Sequence, residues 1–179
     1  MKTYCFTIVT MLTIVFLLGQ GVAVAQEQET QFSSRPAEEY KVSRFIWGEG
    51  IGGRKGEPQT IYMLMSQGGF LAPTSSNFKD LIKAWLAKHP NANVAVVYTL
   101  DGATKQSTKM KWVWVIDGDE NLNIHLVRMG GCSADTMFLN KGDKAHVTKG
   151  EYESFIKKIL EAESLAKKER LGIWSEMKN

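Results

Sequence analysis

The sequence predicts an α+β fold, in which β-strands lie on either side of one helix in the chain and two further helices follow. The last helix is predicted over 150 to about 174, where apolar residues recur three and four positions apart, at Tyr152, Phe155, Ile156, Ile159, Leu160 and Ala166. Strands are predicted where short runs rich in apolar residues lie between turn residues, at 59–65, 93–100 and 109–116. This order suits a small β-barrel flanked by helices.

The start of the chain is predicted to be a secretory signal peptide over 1–25. Lys2 precedes an apolar run at 4–18, and Ala23-Val24-Ala25 has the small-x-small pattern of a cleavage site before Gln26. The protein is therefore expected to be exported, either secreted or kept in the periplasm or cell envelope, without stable membrane insertion after cleavage. The alternative is an uncleaved N-terminal anchor. Residues 26–39 are mostly polar and are predicted to form a flexible leader.

The other elements follow from periodicity and turn residues. In chain order they are a strand at 40–47, a glycine-rich loop at 48–56, the strand at 59–65, a loop to 77, a helix at 78–88, the strands at 93–100 and 109–116, an acidic turn at 117–120, a short helix at 122–130 and a connection at 137–147. Thr148 and Glu151 have the spacing of a capping box at the start of the last helix. Gly172 is predicted to end that helix, because glycine reaches the left-handed conformation cheaply.

Composition narrows the class of protein only moderately. The chain has 179 residues and a formal net charge of +3, which fits one domain and does not by itself argue for nucleic-acid binding. Cys5 lies in the predicted signal peptide, so Cys132 is left without an intrachain disulfide partner. We expect Cys132 to be a small buried residue, with a reactive or intermolecular thiol as the alternative.

Two motifs near the end of the chain indicate a family. Residues 123–130 (NIHLVRMG) resemble the short helix "N-x-x-L-V-R-x-G" of the staphylococcal nuclease-like (thermonuclease) family, and residues 166–174 (AKKERLGIW) resemble its closing motif. The resemblance implies an OB-fold-type barrel over 40–176 with a long C-terminal helix. It also implies the chemistry of active members, which use two arginines, one glutamate and acidic ligands for a calcium ion. Such a set holds the phosphate, activates water and polarises the bond to be broken.

The positions that match this catalytic set carry other residues. Residues 55–60 (KGEPQT) resemble the start of the family's second barrel segment, and Tyr62 then stands at the first catalytic arginine. Gln67 stands at a calcium-binding aspartate, and Phe70 at the general-base glutamate. Met110 stands at the second arginine. Tyrosine supplies no positive charge and phenylalanine accepts no proton, so the resemblance implies a fold without its catalytic residues.

The sequence therefore predicts a catalytically degenerate, exported nuclease-like domain that acts as a binding or interaction module without a cofactor. Its candidate binding cleft contains Tyr62, Gln67, Phe70, Lys109 and Lys111. Because this cleft has become more apolar, a peptide or a small ligand fits it better than nucleic acid. One alternative is a divergent secreted calcium-dependent nuclease that uses Glu49, a candidate metal ligand, with one of the two lysines. Another is a structural envelope component held by its N-terminus.

The remaining polar and aromatic candidates have structural interpretations. His89, His125 and His146 lack ligand spacing and are expected to be structural or surface residues, and the acidic cluster at 117–120 is expected to be a solvated turn. Trp112 and Trp114 alternate with valines on a predicted strand. Core packing explains these tryptophans, and the alternative is an exposed aromatic platform beside Lys105, Lys109 and Lys111.

Overall fold

The structure is a computed structural model and describes residues 34–39, 60–100, 109–134 and 144–176. Within these ranges the strands are β1 (Ser34–Pro36), β2 (Thr60–Leu64), β3 (Asn93–Leu100), β4 (Lys109–Asp117), β5 (Glu120–Asn121) and β6 (Lys144–Ala145). The helices are α1 (Phe78–Lys88), α2 (Leu122–Arg128) and α3 (Lys149–Lys168), and short 3-10 turns follow β1 (Ala37–Glu39) and α3 (Gly172–Trp174). The predicted signal peptide, the strand at 40–47 and the loop with Glu49 lie outside the described residues.

The described strands form one mixed sheet. Its central order is β1-β3-β4-β2, with β5 added to β4 and β6 added to β3. β2 runs parallel to β4, and the other pairs are antiparallel. This sheet, with its helices and the long α3, is the predicted α+β, OB-fold-like architecture.

The pairing of β1 corrects the prediction of a flexible leader over residues 34–39. Ser34 lies opposite Ala95 and Pro36 opposite Asn93, so this segment extends the sheet beside β3. Proline is tolerated there because an edge strand does not need every backbone N–H for pairing. Ala37 is buried, and its N–H donates to the carbonyl of Ala92 at 2.8 Å.

Side chains on both faces of β4 are buried. Trp112 and Trp114 point to one face, and Val113 and Val115 point to the other. α3 covers the tryptophan face, where the rings of Trp114 and Phe155 lie 4.8 Å apart between centroids. Core packing of the tryptophans is confirmed and the exposed aromatic platform is wrong, because each tryptophan is only 6% exposed.

α3 begins as predicted but ends earlier. The capping box of Thr148 and Glu151 is present. The helix then ends at Lys168, and Arg170 rather than Gly172 takes the first left-handed conformation, with φ of 55°. The backbone N–H of Leu171 donates to the carbonyl of Ala166 at 2.9 Å, and that of Arg170 donates to Lys167 at 3.1 Å. These two hydrogen bonds form a Schellman motif. The motif ends the helix here although Arg170, and not a glycine, adopts the left-handed conformation.

The two C-terminal motifs meet through a close contact between Gly130 and Gly172. Both glycines have positive φ, 68° and 52° respectively. A Cβ on Gly130 would overlap the carbonyl of Leu171, and a Cβ on Gly172 would overlap the carbonyl of Gly130. The N–H of Ile173 donates to the Gly130 carbonyl at 2.9 Å. Contact at this distance therefore requires glycine at both positions.

We expect Gly172→Ala to lower the free energy of unfolding by at least about 2 kcal/mol, because alanine is strained at positive φ and its Cβ meets backbone that cannot move aside cheaply. Gly150→Ala is the matched control. Gly150 lies in the first turn of α3, and a Cβ added to it would have no neighbour within 4 Å, so alanine there should raise the free energy of unfolding by about 0.5–1 kcal/mol. Denaturant unfolding of both variants measures the difference. Equal effects would contradict the close glycine contact.

Candidate functional site

The candidate cleft is organised around the pair of Tyr62 and Lys111. These residues lie opposite each other in the parallel register of β2 and β4. The tyrosine is 1% exposed, and the Lys111 Nζ lies 3.4 Å from its hydroxyl oxygen, to which it donates. The same ammonium lies 5.3 Å from the ring centroid, within the range of a cation–π interaction. The ring is thus part of the core, and the cationic head of Lys111 covers its polar end.

Lys111 belongs to a row of side chains that crosses four strands. Thr99 on β3 lies opposite Lys111, and Lys144 on β6 lies opposite Thr99. Residues paired in this way project to the same face of a sheet. We call Lys144, Thr99, Lys111 and Tyr62 the Lys111 row. Its accessible members are polar or cationic, since Lys144 is exposed and Thr99 and Lys111 are half-buried.

His146 lies beside this row and contributes no positive charge near neutral pH. Its Nε2 lies 2.8 Å from the Thr99 hydroxyl oxygen. Burial lowers the pKa of His146, and the charges of Lys144 and Lys111 lower this pKa further. The neutral imidazole therefore acts as a hydrogen-bonding group within a cationic environment.

Gln67 and Phe70 lie in the hairpin that follows β2. Phe70 bridges Met65 across this turn, is 9% exposed and belongs to the hydrophobic core. Gln67 is half-buried, and its backbone ties the hairpin to the rest of the domain. Its carbonyl accepts a 2.6 Å hydrogen bond from the Tyr152 hydroxyl of α3, and its N–H donates to the carbonyl of Ala134 at 3.0 Å. Burial raises the pKa of Tyr152, which keeps that hydroxyl protonated as a donor.

The five cleft residues are thus distributed over two elements of the sheet and one hairpin. Tyr62 and Lys111 are in contact, and Lys109 lies two positions before Lys111 on β4, where it is exposed. Lys109 and Lys111 project from the face of β4 opposite to Trp112 and Trp114. Met110 is half-buried and packs against the core.

The metal candidates gain no support from the described residues. Glu49 lies outside them, and within them no group of three or more His, Cys, Asp or Glu side chains is placed to hold a metal ion. His89 stacks on Trp85 with ring centroids 4.0 Å apart, and its Nδ1 lies 3.2 Å from the Asp117 carboxylate. Asp117 and Glu120 pair across a two-residue hairpin whose Gly118 has positive φ, so the acidic cluster is the predicted turn.

Cys132 is buried, as the sequence predicts. It is fully inaccessible, and burial, followed by the charge of Glu163, raises the pKa of its thiol. Raising the pKa lowers the thiolate fraction, which is the reactive form. Cys132 therefore has the environment of a packing residue and not of a nucleophile.

A buried amide links the candidate site to the short helix α2. Asn123 is fully buried, and its side-chain nitrogen donates to the carbonyls of Met65 and Val113, both at 2.9 Å. Its side-chain oxygen accepts from the N–H of Val115 at 3.2 Å. The sequence motif contains this residue, but periodicity indicates only a helix there. The hydrogen bonds of Asn123 to Met65, Val113 and Val115 can be recognised only from the positions of β2 and β4 in the structure.

The structure also contains a groove that the sequence analysis did not anticipate. Two adjoining cavities, of about 560 and 370 Å³, lie between the β4–β5 hairpin, α2 and one side of α3. Asp119, Glu120, Asn121, Ile124 and Lys158 line both cavities, so they form one continuous groove, which we call the hairpin–α3 groove. The signal available in the sequence was weak, because these residues come from three separated segments.

Comparisons with known proteins show a likeness of fold to solved structures. No protein-family profile and no curated protein matches the sequence. Among solved structures, the fold is similar to the extended Tudor domain of Drosophila melanogaster Tudor-SN (p100), with 17% sequence identity and a TM-score of 0.42. The match covers 64% of this chain and 47% of that chain, so this chain spans about half of the matched structure. Separately, none of the helices in the described parts is long and apolar enough to cross a membrane.

We expect Asn123→Ala to lower the free energy of unfolding by about 3 kcal/mol, because it leaves the N–H of Val115 and the carbonyl of Met65 buried without their partner and removes one of the two hydrogen bonds to the carbonyl of Val113. Asn121→Ala is the matched control. The Asn121 side chain caps α2 by accepting from the N–H groups of Asn123 and Ile124, and losing such a cap typically costs about 1 kcal/mol. Urea unfolding monitored by tryptophan fluorescence compares the two. A loss at Asn123 no greater than that at Asn121 would contradict the role assigned to the buried amide.

Proposed function

We propose that this protein is an exported binding module, built on a nuclease-like OB-fold domain that lacks the catalytic arginine, glutamate and aspartate set. The observation that carries the proposal is the burial of Tyr62 and Phe70 in the hydrophobic core. A catalytic guanidinium or carboxylate at these positions would need access to substrate and water. Buried aromatic rings there serve the packing of the barrel instead.

The proposed binding surface is the candidate cleft at the Lys111 row. With Tyr62 and Phe70 packed inward, the groups that a ligand can meet are Lys109, Lys111 and Gln67, with Lys144 and His146 beside them. Lysine ammonium groups are point charges that donate hydrogen bonds, without the bidentate fork of arginine. They suit a ligand that presents carboxylates, such as an acidic peptide or a small acid, better than they suit the in-line hydrolysis of a phosphodiester.

The test of the function is a nuclease assay on the purified protein with single-stranded DNA, duplex DNA and RNA, first with excess calcium and then with a chelator. We expect no cleavage above a mock purification. The same assay on the variants Glu49→Ala and Glu153→Ala, the second a surface control, tests the alternative of a divergent calcium-dependent nuclease. Metal-dependent cleavage that Glu49→Ala abolishes and Glu153→Ala preserves would overturn the proposal.

A second readout on the same samples locates the binding surface. Retention on immobilised polyglutamate should depend on salt, because exposed charges are screened as ionic strength rises. Lys111→Gln should elute at lower salt than Lys157→Gln, which removes the same charge from the exposed face of α3. If both variants elute together, the Lys111 row is not the binding surface. Sequencing the N-terminus of the protein recovered from its native host tests cleavage before Gln26.

A further inference from the structure

The hairpin–α3 groove has the length and straightness of a site for a polypeptide segment. On α3 it is lined by Glu151, Ser154, Lys158, Glu161 and Leu165, among others, which recur every three or four residues and so form one stripe along the helix. At a rise of 1.5 Å per residue, this stripe is roughly 21 Å long. The β4–β5 hairpin and α2 form the opposite wall.

The floor of the groove is apolar and partly open to solvent. Ile116 of β4 and Ile124 of α2 are half-buried and pack against the hydrophobic core from its edge. Leu165 of α3 is 38% exposed, which makes it one of the largest apolar exposures among the described residues. Covering this floor with another apolar surface lowers the free energy of the complex, because apolar area is removed from water.

The walls of the groove carry carboxylates that form no ion pair within the described parts of the chain. Asp119, Glu120 and Glu161 line the groove, and none of them takes part in an ion pair with another residue of the described ranges. Other acids on the same elements are compensated. Asp117 lies against His89, Glu163 pairs with Lys167 at 2.9 Å, and Glu169 pairs with Arg128 at 2.7 Å.

The basic groups of the groove do not cancel this charge. Arg128 is held by its bond to Glu169. Burial, followed by the nearby charge of Lys88, lowers the pKa of His125, so its imidazole is neutral near pH 7. Lys158 remains as a cation near the middle of the groove. Among the described lining residues, carboxylates therefore outnumber cations.

We propose that the hairpin–α3 groove binds a basic amphipathic polypeptide segment of a partner protein. Apolar side chains of this segment cover Ile116, Ile124 and Leu165, and its flanking lysines or arginines lie against Asp119, Glu120 and Glu161. The carboxylates on the walls repel nucleic acid and anionic membrane surfaces. The groove shares no residue with the Lys111 row, so this proposal and the proposed function succeed or fail separately.

The probe is a fluorescent 14-residue peptide made only of leucine and lysine, with the leucines placed three and four apart. Its partner peptide carries glutamate at every lysine position. Fluorescence anisotropy with the full-length protein measures both. We expect saturable binding of the lysine peptide, weakened by salt, and at least tenfold weaker binding of the glutamate peptide, because its carboxylates would lie against the carboxylates of the groove walls.

Matched variants on α3 locate the site. Leu165 and Leu160 are nearly equally exposed, 38% and 39%, but only Leu165 lines the groove. Leu165→Ser should weaken binding by roughly five- to tenfold, as expected for losing part of a leucine contact, whereas Leu160→Ser should leave it unchanged. Glu161→Lys and Glu153→Lys change the net charge equally. Of these two residues only Glu161 lines the groove, so Glu161→Lys should weaken peptide binding by about threefold.

Three outcomes of the peptide measurements would overturn the proposal. The first is the absence of saturable binding of the lysine peptide by a protein whose circular dichroism shows it to be folded. The second is equal binding of the lysine and glutamate peptides. The third is an equal effect of the two leucine variants, which would place the peptide elsewhere. Direct binding of single-stranded DNA or of phosphatidylserine vesicles to the protein, weakened by Leu165→Ser and unchanged in Leu160→Ser, would show that the groove takes an anionic partner and would also contradict the proposal.

Discussion

The side-chain amide of Asn123 is the constraint on which the arrangement of the domain depends. A strand that ends in the core leaves backbone groups without partners, and each such group is costly when buried. Asn123 satisfies two of these groups, the carbonyl of Met65 and the N–H of Val115, and it adds a second hydrogen bond to the carbonyl of Val113, which also accepts from the N–H of Met65. The same residue is the second of α2, so the place where β2 ends and the place where α2 begins are set by one side chain.

The position of α2 in turn determines its contacts with the end of α3. The helix leads to Gly130, whose carbonyl receives the N–H of Ile173, and Arg128 pairs with Glu169 at the end of α3. The long helix is therefore held at its far end by α2, while Tyr152 holds its first turns to the hairpin after β2. Tyr62 and Phe70 lie inside this frame, in positions where their rings fill the core. Both rings therefore contribute to the packing of the domain.

The sequence predicted the elements that have strong local signals. α1 and β3 were predicted with the observed boundaries, because turn residues border both and their apolar spacing is clear. The end of α3 was misplaced, since glycine at 172 suggested the left-handed position that Arg170 occupies. β1 was missed because three residues are too few for a periodic pattern. Gly172 instead serves the close contact with Gly130, which is a tertiary requirement that no local pattern reveals.

The candidate site could be predicted only in part for the same reason. The resemblance indicated Tyr62, and it indicated Lys111 only as a lysine next to Met110, but the contact between Tyr62 and Lys111 depends on a register between strands that lie far apart in the sequence. The Lys111 row adds Thr99 and Lys144 from two further strands, and the hairpin–α3 groove combines three segments. Alternation along β4 did separate Trp112 and Trp114 from Val113 and Val115. It could not tell which face α3 covers.

The most direct test of the account is the free energy of unfolding of Tyr62→Arg, which introduces the arginine that the resemblance to the nuclease-like family implies at this position. If Tyr62 is a core residue, the buried guanidinium lacks a partner and faces the Lys111 ammonium, so the variant should lose at least about 3 kcal/mol. Tyr62→Phe, which removes only the hydroxyl, should lose about 1 kcal/mol or less. A Tyr62→Arg variant as stable as the wild type would contradict the account, because it would mean that this position still opens into a catalytic cleft.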